Sequence, residues 1–178
     1  MATSLKQLSE FLESMGLNYK IVEEQDVILT GAGDGDNSMS ILLNAQENGD
    51  VFELNSNPRD KDGNIIHVPS DHEHKNLLLQ RLLEYNYKTK FGTWEYNPND
   101  GEIAFNIEIP LEDALMTEKQ FARIISMVMT ALSEHVPEIK SIIATGKLIE
   151  DNSSDDLMAE FAAFLAAKQE SSSSSDGI

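Results

Sequence analysis

The stretch EIAFNIEI, from Glu102 to Ile109, carries an apolar residue at almost every second position. Successive side chains of a β-strand point to opposite faces of a sheet, so this period of two predicts a strand with one buried face and one solvated face. The chain is therefore expected to contain a sheet whose apolar face is covered by other elements.

Further strands are predicted on both sides of a central helical segment. Downstream of that segment, Asn86–Tyr96 is joined to the strand at Glu102 by the turn sequence NPNDG. Upstream, the turn sequence ENGD carries the Asn-Gly pair of a tight hairpin, which indicates a meander of antiparallel strands. The upstream strand candidates are Tyr19–Glu23, Asp26–Thr30, Met39–Gln46 and Val51–Asn55.

Three helices are predicted from apolar residues at helical spacing and from capping residues. They are Ser4–Gly16, a second helix from about Asp71 to Tyr85, and a third that starts after the capping box at Thr117–Gln120 and is broken or restarted at Pro137. The order α-β-β-β(-β)-α-β-β-α has too few helices to cross over between every strand pair. It therefore favours an α+β domain with a mostly antiparallel sheet.

The composition changes at residue 150, which ends the predicted α+β domain of residues 1–149. Residues 150–156 read as a polar linker, 157–168 as an amphipathic helix and 169–178 as a disordered serine-rich tail. Leu157, Phe161, Phe164 and Leu165 form the apolar stripe of that helix. The stripe either docks on its own domain or a sister subunit, which we favour, or serves as a tethered motif for another protein.

Acidic residues outnumber basic ones 31 to 13, and the formal net charge is −18. Such a chain repels phosphate backbones and anionic membranes and attracts basic protein segments, so we expect no nucleic-acid or membrane partner. The absence of cysteine excludes disulfides and thiolate chemistry. No apolar run has the length of a signal peptide core or a membrane span, which predicts a soluble, cytoplasmic protein.

The sequence DHEH, from Asp71 to His74, raises the question of a metal site. Two histidines two positions apart on a helix point about 200° away from each other and cannot bind the same ion. Ser70 and Glu73 have capping-box spacing, so we interpret this stretch as the start of a helix. Weak ion binding in the His67–His74 region stays open, but no metal or cofactor is predicted.

Two acidic loops, Gly31–Ser38 and the stretch around Asp60, are the other candidates for a ligand site. The first lacks the following helix of a phosphate loop, and both lack the glycine at position 6 that a calcium loop requires. We interpret both as exposed turns and keep a small-molecule or metal-ion sensor as the alternative function. No Gly-x-Ser-x-Gly or His-Glu-x-x-His motif is present, and we expect no enzymatic activity.

The aromatic sequence FGTWEY supplies a candidate partner surface. Trp94 and Tyr96 share one face of the predicted strand, where they either pack inside the domain, which we favour, or contact a partner or a second copy of the chain. With Phe161 and Phe164 on the tail helix, they form our predicted partner surface.

The stretch from Leu77 to Val136 resembles the YbjN family of bacterial proteins. It combines a leucine-rich helix that ends in an aromatic-Asn-Tyr step, a Phe-Gly strand start, the turn NPNDGEI, a strand ending in IPL and the helix start MTEKQ. The resemblance implies a type III secretion chaperone-like fold with helices on a bent antiparallel sheet. It also implies a homodimer and a non-enzymatic chaperone-like or regulatory role, with a histidine kinase or other signalling protein as the client.

Overall fold

The computed structural model describes residues 3–34, 36–46 and 49–149. Within these ranges, four α-helices and six β-strands follow one another in the order α-β-β-β-β-α-β-β-α-α, which confirms the predicted α+β class. The helices are α1 (Leu5–Ser14), α2 (Lys75–Lys88), α3 (Glu118–Thr130) and α4 (Val136–Thr145). The strands are β1 (Tyr19–Val22), β2 (Val27–Asp34), β3 (Asn37–Gln46), β4 (Val51–Arg59), β5 (Thr93–Tyr96) and β6 (Ile103–Pro110).

All six strands form one open sheet in the order β1-β2-β3-β4-β6-β5, and every neighbouring pair is antiparallel. The first four strands form the predicted meander. Strand β6 pairs with β4, so Ile107 lies opposite Leu54, and this pairing joins the two halves of the chain.

Strand β6 has the two faces that its sequence alternation predicts. Ile103, Phe105 and Ile107 of β6 are buried, whereas Glu108 is exposed. Phe121 of α3 meets this buried face, because its ring lies edge-on to the buried Phe52 ring of β4, 6.3 Å between centroids. The apolar face is thus covered by helices and the other face stays polar.

Local capping residues place two of the helices. At α1 the Ser4 hydroxyl accepts a hydrogen bond from the Gln7 N–H (3.3 Å). The Gln7 amide donates instead to the Met116 carbonyl (3.0 Å), which ties α1 to the segment before α3. At α3 both halves of the box form between Thr117 and Gln120, as predicted.

The predicted ends of α2 were wrong on both sides. The helix begins at Lys75 rather than Asp71, because His72 donates its N–H to the Pro69 carbonyl and closes a turn first. It then continues to Lys88, into a segment that the sequence predicted as strand.

Strand β4 is longer than its predicted segment. It runs past Asn55 to Arg59, because β3 supplies a pairing partner for every residue down to Ser38, opposite Arg59. The four extra residues were predicted as loop from their polarity. Pairing with a neighbouring strand overrides that local preference.

The helical region after β6 changes geometry just before Pro137, where the sequence predicted a break or restart. A π-helical segment, Ala131–His135, separates α3 from α4. Pro137 lies in the first turn of α4, where its missing N–H costs no hydrogen bond. Gly146, in the left-handed conformation (φ 67°), ends this helix as predicted.

The predicted linker, tail helix and serine-rich tail lie outside the described residues. Within the described ranges no helix is both long and apolar enough to cross a membrane.

Candidate functional site

A buried carboxylate, Glu138 of α4, lies beneath α2 and is only 5% exposed. Its Oε2 accepts hydrogen bonds from Arg81 Nε (2.7 Å) and from the Tyr85 hydroxyl. Its Oε1 accepts the N–H of Ile149 (3.2 Å), and Arg81 also donates to Glu84 Oε2 (2.6 Å). Glu138 therefore fastens α2, α4 and the segment after α4 at one point.

The pKa values in this cluster follow from its pairing. Burial raises the pKa of Glu138, but the hydrogen bonds from Tyr85 and Arg81 outweigh burial and bring it below its usual value. Burial and the bond to Glu138 raise the pKa of the Tyr85 hydroxyl. Glu138 is thus held as a carboxylate and Tyr85 as a neutral phenol that donates to it.

His135, the last residue of the π-helical segment, extends the cluster to the sheet. Its Nδ1 accepts the Trp94 indole N–H (2.9 Å), and its ring stacks on the Tyr85 ring, 3.8 Å between centroids. Burial and the nearby Arg81 guanidinium lower the pKa of His135 to about 4. The imidazole is therefore neutral at neutral pH, with the tautomer that leaves Nδ1 as acceptor.

The chemistry of this cluster indicates a structural role. A general base needs a free lone pair facing substrate, whereas Glu138 accepts three hydrogen bonds and His135 Nδ1 is occupied by Trp94. A cavity of about 410 Å³ at β5 is lined by other residues, among them Lys90, Phe91 and Glu95. The cluster therefore positions α2 on the domain.

The outward side of α2 carries two exposed apolar side chains. Leu83 is 68% exposed and Tyr87 is 92% exposed, although the same helix buries Leu78, Leu82 and Tyr85. Residues four positions apart on a helix are neighbours on its surface, so Leu83 and Tyr87 form one continuous patch, which we call the α2 face. Composition gave no signal for this patch, because the leucines of α2 all matched a core helix.

Trp94 and Tyr96, the predicted partner residues on the sheet, are not openly exposed. Trp94 is 3% exposed and packs on Phe105, 5.3 Å between ring centroids. The Tyr96 hydroxyl donates to the Val68 carbonyl (2.9 Å), and the residue is half-buried. The packing interpretation thus describes the single chain, and a partner contact at these residues stays a prediction.

The edge of β5 is also covered. The Asn86 side chain of α2 accepts the Trp94 N–H (2.7 Å) and donates to the Trp94 carbonyl (2.9 Å), as a paired strand would. Unpaired edge groups invite association with another strand, and this side-chain amide blocks that pairing at Trp94. Phe161 and Phe164, the other predicted partner residues, lie outside the described residues.

The two acidic loops meet at one cavity of about 280 Å³, which Asp36, Asp60 and Lys140 line together with Ile66 and Ile143. Within the described chain, Lys140 Nζ is buried without a hydrogen-bond partner. Burial lowers the pKa of Lys140, while the carboxylates of Asp36 and Asp60 oppose that change.

The histidines near α2 stand in turns rather than on the helix. The rings of His72 and His74 are 5.7 Å apart, and His72 Nδ1 accepts the His74 N–H (3.2 Å). His67 Nδ1 lies 3.2 Å from the Asp100 carbonyl instead. Over residues 3–34, 36–46 and 49–149, no group of three or more His, Asp or Glu side chains is arranged to hold a metal ion.

These features define a single-sheet α+β domain in which a buried polar cluster positions a helix with an exposed apolar face. A family model described as YbjN, "Putative bacterial sensory transduction regulator", matches residues 4–141. The chain therefore belongs to the YbjN family, as the helix and turn motifs of its central part predicted. No curated protein sequence is significantly similar to the chain.

Proposed function

We propose that this protein is a non-enzymatic regulator that binds another protein through the α2 face. The observation that carries the proposal is the exposure of Leu83 and Tyr87, side by side on a helix that Glu138 fixes from beneath. Single exposed apolar residues are common on protein surfaces, whereas contiguous apolar patches mark interaction sites. The family description supports a role in signalling.

The mechanism of the proposed regulator is steric. An apolar segment of the client would pack on Leu83 and Tyr87, and the client would thereby be covered or held in one conformation. The net charge of −18 favours clients with basic segments, such as a histidine kinase or another signalling protein, and speeds their encounter. Binding is therefore expected to weaken as the salt concentration rises. Homodimerisation stays a prediction, which analytical ultracentrifugation tests.

The test is an affinity capture with the tagged full-length protein from its host lysate, at low and moderate salt. The double variant Leu83→Ser/Tyr87→Ser should lose the captured client. The matched control Ile21→Ser/Leu29→Ser alters two apolar residues that are 40% and 39% exposed at the other edge of the sheet. This control should retain the client. Equal capture by both variants would contradict the assignment of the α2 face.

The cavity between the acidic loops favours a second candidate function, a small-molecule sensor. Among the described residues the buried Lys140 ammonium has no hydrogen-bond partner, which is costly, and a ligand with an acceptor atom would relieve that cost. A thermal-shift screen with calcium, zinc, nucleotides and small carboxylates tests it, because a ligand specific for the folded state raises Tm. A Tm increase that Lys140→Met abolishes would support the sensor, and no increase with any of these compounds would count against it.

A further inference from the structure

The described chain ends beside α2. The Ile149 N–H donates to one oxygen of the Glu138 carboxylate, and Arg81 of α2 donates to the other oxygen. Leu148 and Ile149 are 50% and 47% exposed, so the chain enters residue 150 with apolar side chains on its surface. The segment that follows thus starts close to the helix that carries the α2 face.

The length of the following segment fits this helix. Helix α2 has 14 residues, which corresponds to about 21 Å at 1.5 Å per residue. The linker 150–156 has seven residues and spans at most about 25 Å when extended. A helix that begins at residue 157 can therefore reach any part of the α2 face.

The chemistry of the two surfaces also matches. The predicted helix 157–168 presents Leu157, Phe161 and Phe164 at intervals of three to four residues, and Leu83 and Tyr87 are separated by four. An amphipathic stripe of this kind needs an apolar surface to cover it. The linker contains four acidic and no basic residues, while Lys88 and Lys90 are exposed at the end of α2.

We propose that the segment 157–168 docks on the α2 face of its own chain. Its apolar stripe covers Leu83 and Tyr87, and the acidic linker passes the basic end of α2. The docking itself requires no partner. One consequence rests on the proposed function: the client and the tail segment would use the same face, so they should compete for it.

Hydrogen–deuterium exchange of the full-length protein, read by mass spectrometry, tests the docking. Backbone amides of 157–168 should exchange at least about tenfold more slowly than in an unstructured chain. Leu83→Ser/Tyr87→Ser should abolish this protection. Strands β3 and β4 should stay protected, because Leu83 and Tyr87 are exposed and their replacement leaves the core intact. The control Ile21→Ser/Leu29→Ser should keep the protection of 157–168.

A second variant alters the tail side of the proposed contact. Phe161→Ser/Phe164→Ser leaves the described domain unchanged and should also abolish the protection. Absence of protection in the unaltered protein would overturn docking, and protection that survives Leu83→Ser/Tyr87→Ser would overturn the site. Protection that falls on dilution would assign the contact to a second copy and would also overturn docking in the same chain.

The exchange experiment tests the docking of the tail, and the capture experiment tests the proposed function, so the two can be contradicted independently. Client capture that persists in Leu83→Ser/Tyr87→Ser, together with loss of tail protection, would contradict only the proposed function. If the tail competes for the α2 face, Phe161→Ser/Phe164→Ser should capture more client than the unaltered protein does.

Discussion

Replacing Glu138 by glutamine tests whether the buried carboxylate holds α2 in place. Its Oε2 accepts hydrogen bonds from Arg81 and Tyr85, whereas its Oε1 accepts the Ile149 N–H. A glutamine oxygen can keep only one of these two positions, because the amide NH2 occupies the other. The variant therefore loses one hydrogen bond or more, and its bond to Arg81 no longer has a charged acceptor.

The expected loss follows from these two changes. An intramolecular hydrogen bond contributes about 1 kcal/mol to stability, and a bond to a charged group contributes about 1 kcal/mol more than a neutral one. We expect Glu138→Gln to lower the free energy of unfolding by about 2 kcal/mol at neutral pH. The matched control is Glu84→Gln, which removes the other carboxylate bonded to Arg81 but lies at the surface. Glu84→Gln should lower the free energy of unfolding much less.

The effect of Glu138→Gln has a defined pH dependence. The pKa of Glu138 in the folded protein lies below its ordinary value of 4.5. The contribution of its charge is therefore complete above about pH 4.5 and is lost as the pH falls through the folded-state pKa. The stability difference between the unaltered protein and the variant should consequently shrink in acid.

Urea unfolding followed by fluorescence measures this difference. Trp94 is the only tryptophan, and it is 3% exposed, so its emission reports the unfolding of the domain directly. A loss below about 0.5 kcal/mol, or a difference that grows in acid, would refute the assignment of Glu138 as the anchor of α2.

Three further changes test other parts of the fold. The pKa of His135 falls from 6.5 to about 4 on folding, so the unfolded chain takes up its proton first and stability falls as the pH drops from about 6.5 to 4. His135→Gln should remove this acid-dependent loss of stability, which is on the order of 3 kcal/mol. Urea unfolding at several pH values measures it. Gly146→Ala should lower Tm, because a Cβ there would lie 2.7 Å from an imidazole carbon of His74 and because φ is +67°. Asn86→Ala should cost about 2 kcal/mol and promote self-association, seen by light scattering, because it leaves the Trp94 backbone edge unpaired.

Each of these three changes has a control within the chain. His67→Gln alters an exposed histidine and should leave the extra acid lability in place. Gly63→Ala shares the positive φ, at +84°, but meets no atom within 4 Å, so it should lower Tm less than Gly146→Ala. Asn76→Ala changes an exposed residue of α2 and should affect neither stability nor association. Equal effects in a variant and its control would contradict the contact assigned to that residue.

The sequence predicted elements where a local rule decides the structure. The caps Ser4 and Thr117 placed α1 and α3, because a side-chain oxygen satisfies a nearby backbone N–H regardless of the rest of the fold. The alternation from Ile103 to Ile109 predicted β6 and its two faces. Gly146 marked the end of α4 through its left-handed conformation.

Partners distant in sequence decided the elements that were predicted wrongly. Helix α2 continues past Tyr85 because that residue stacks on His135 and donates to Glu138, and because Asn86 pairs with the Trp94 backbone. In isolation, the same aromatic residues favour a strand. Strand β4 likewise extends to Arg59 only because β3 lies beside it.

For the candidate site, too, some features follow from the sequence and others only from the tertiary structure. The sequence by itself determined the acidic charge, the antiparallel α+β architecture and the family, since these depend on composition and local patterns. Only the tertiary structure decided that Trp94 packs inside and that Leu83 and Tyr87 face solvent. Every leucine of α2 fits the same helical pattern, and the side of the helix that packs on the domain is fixed by Glu138 of α4, more than fifty residues away along the chain.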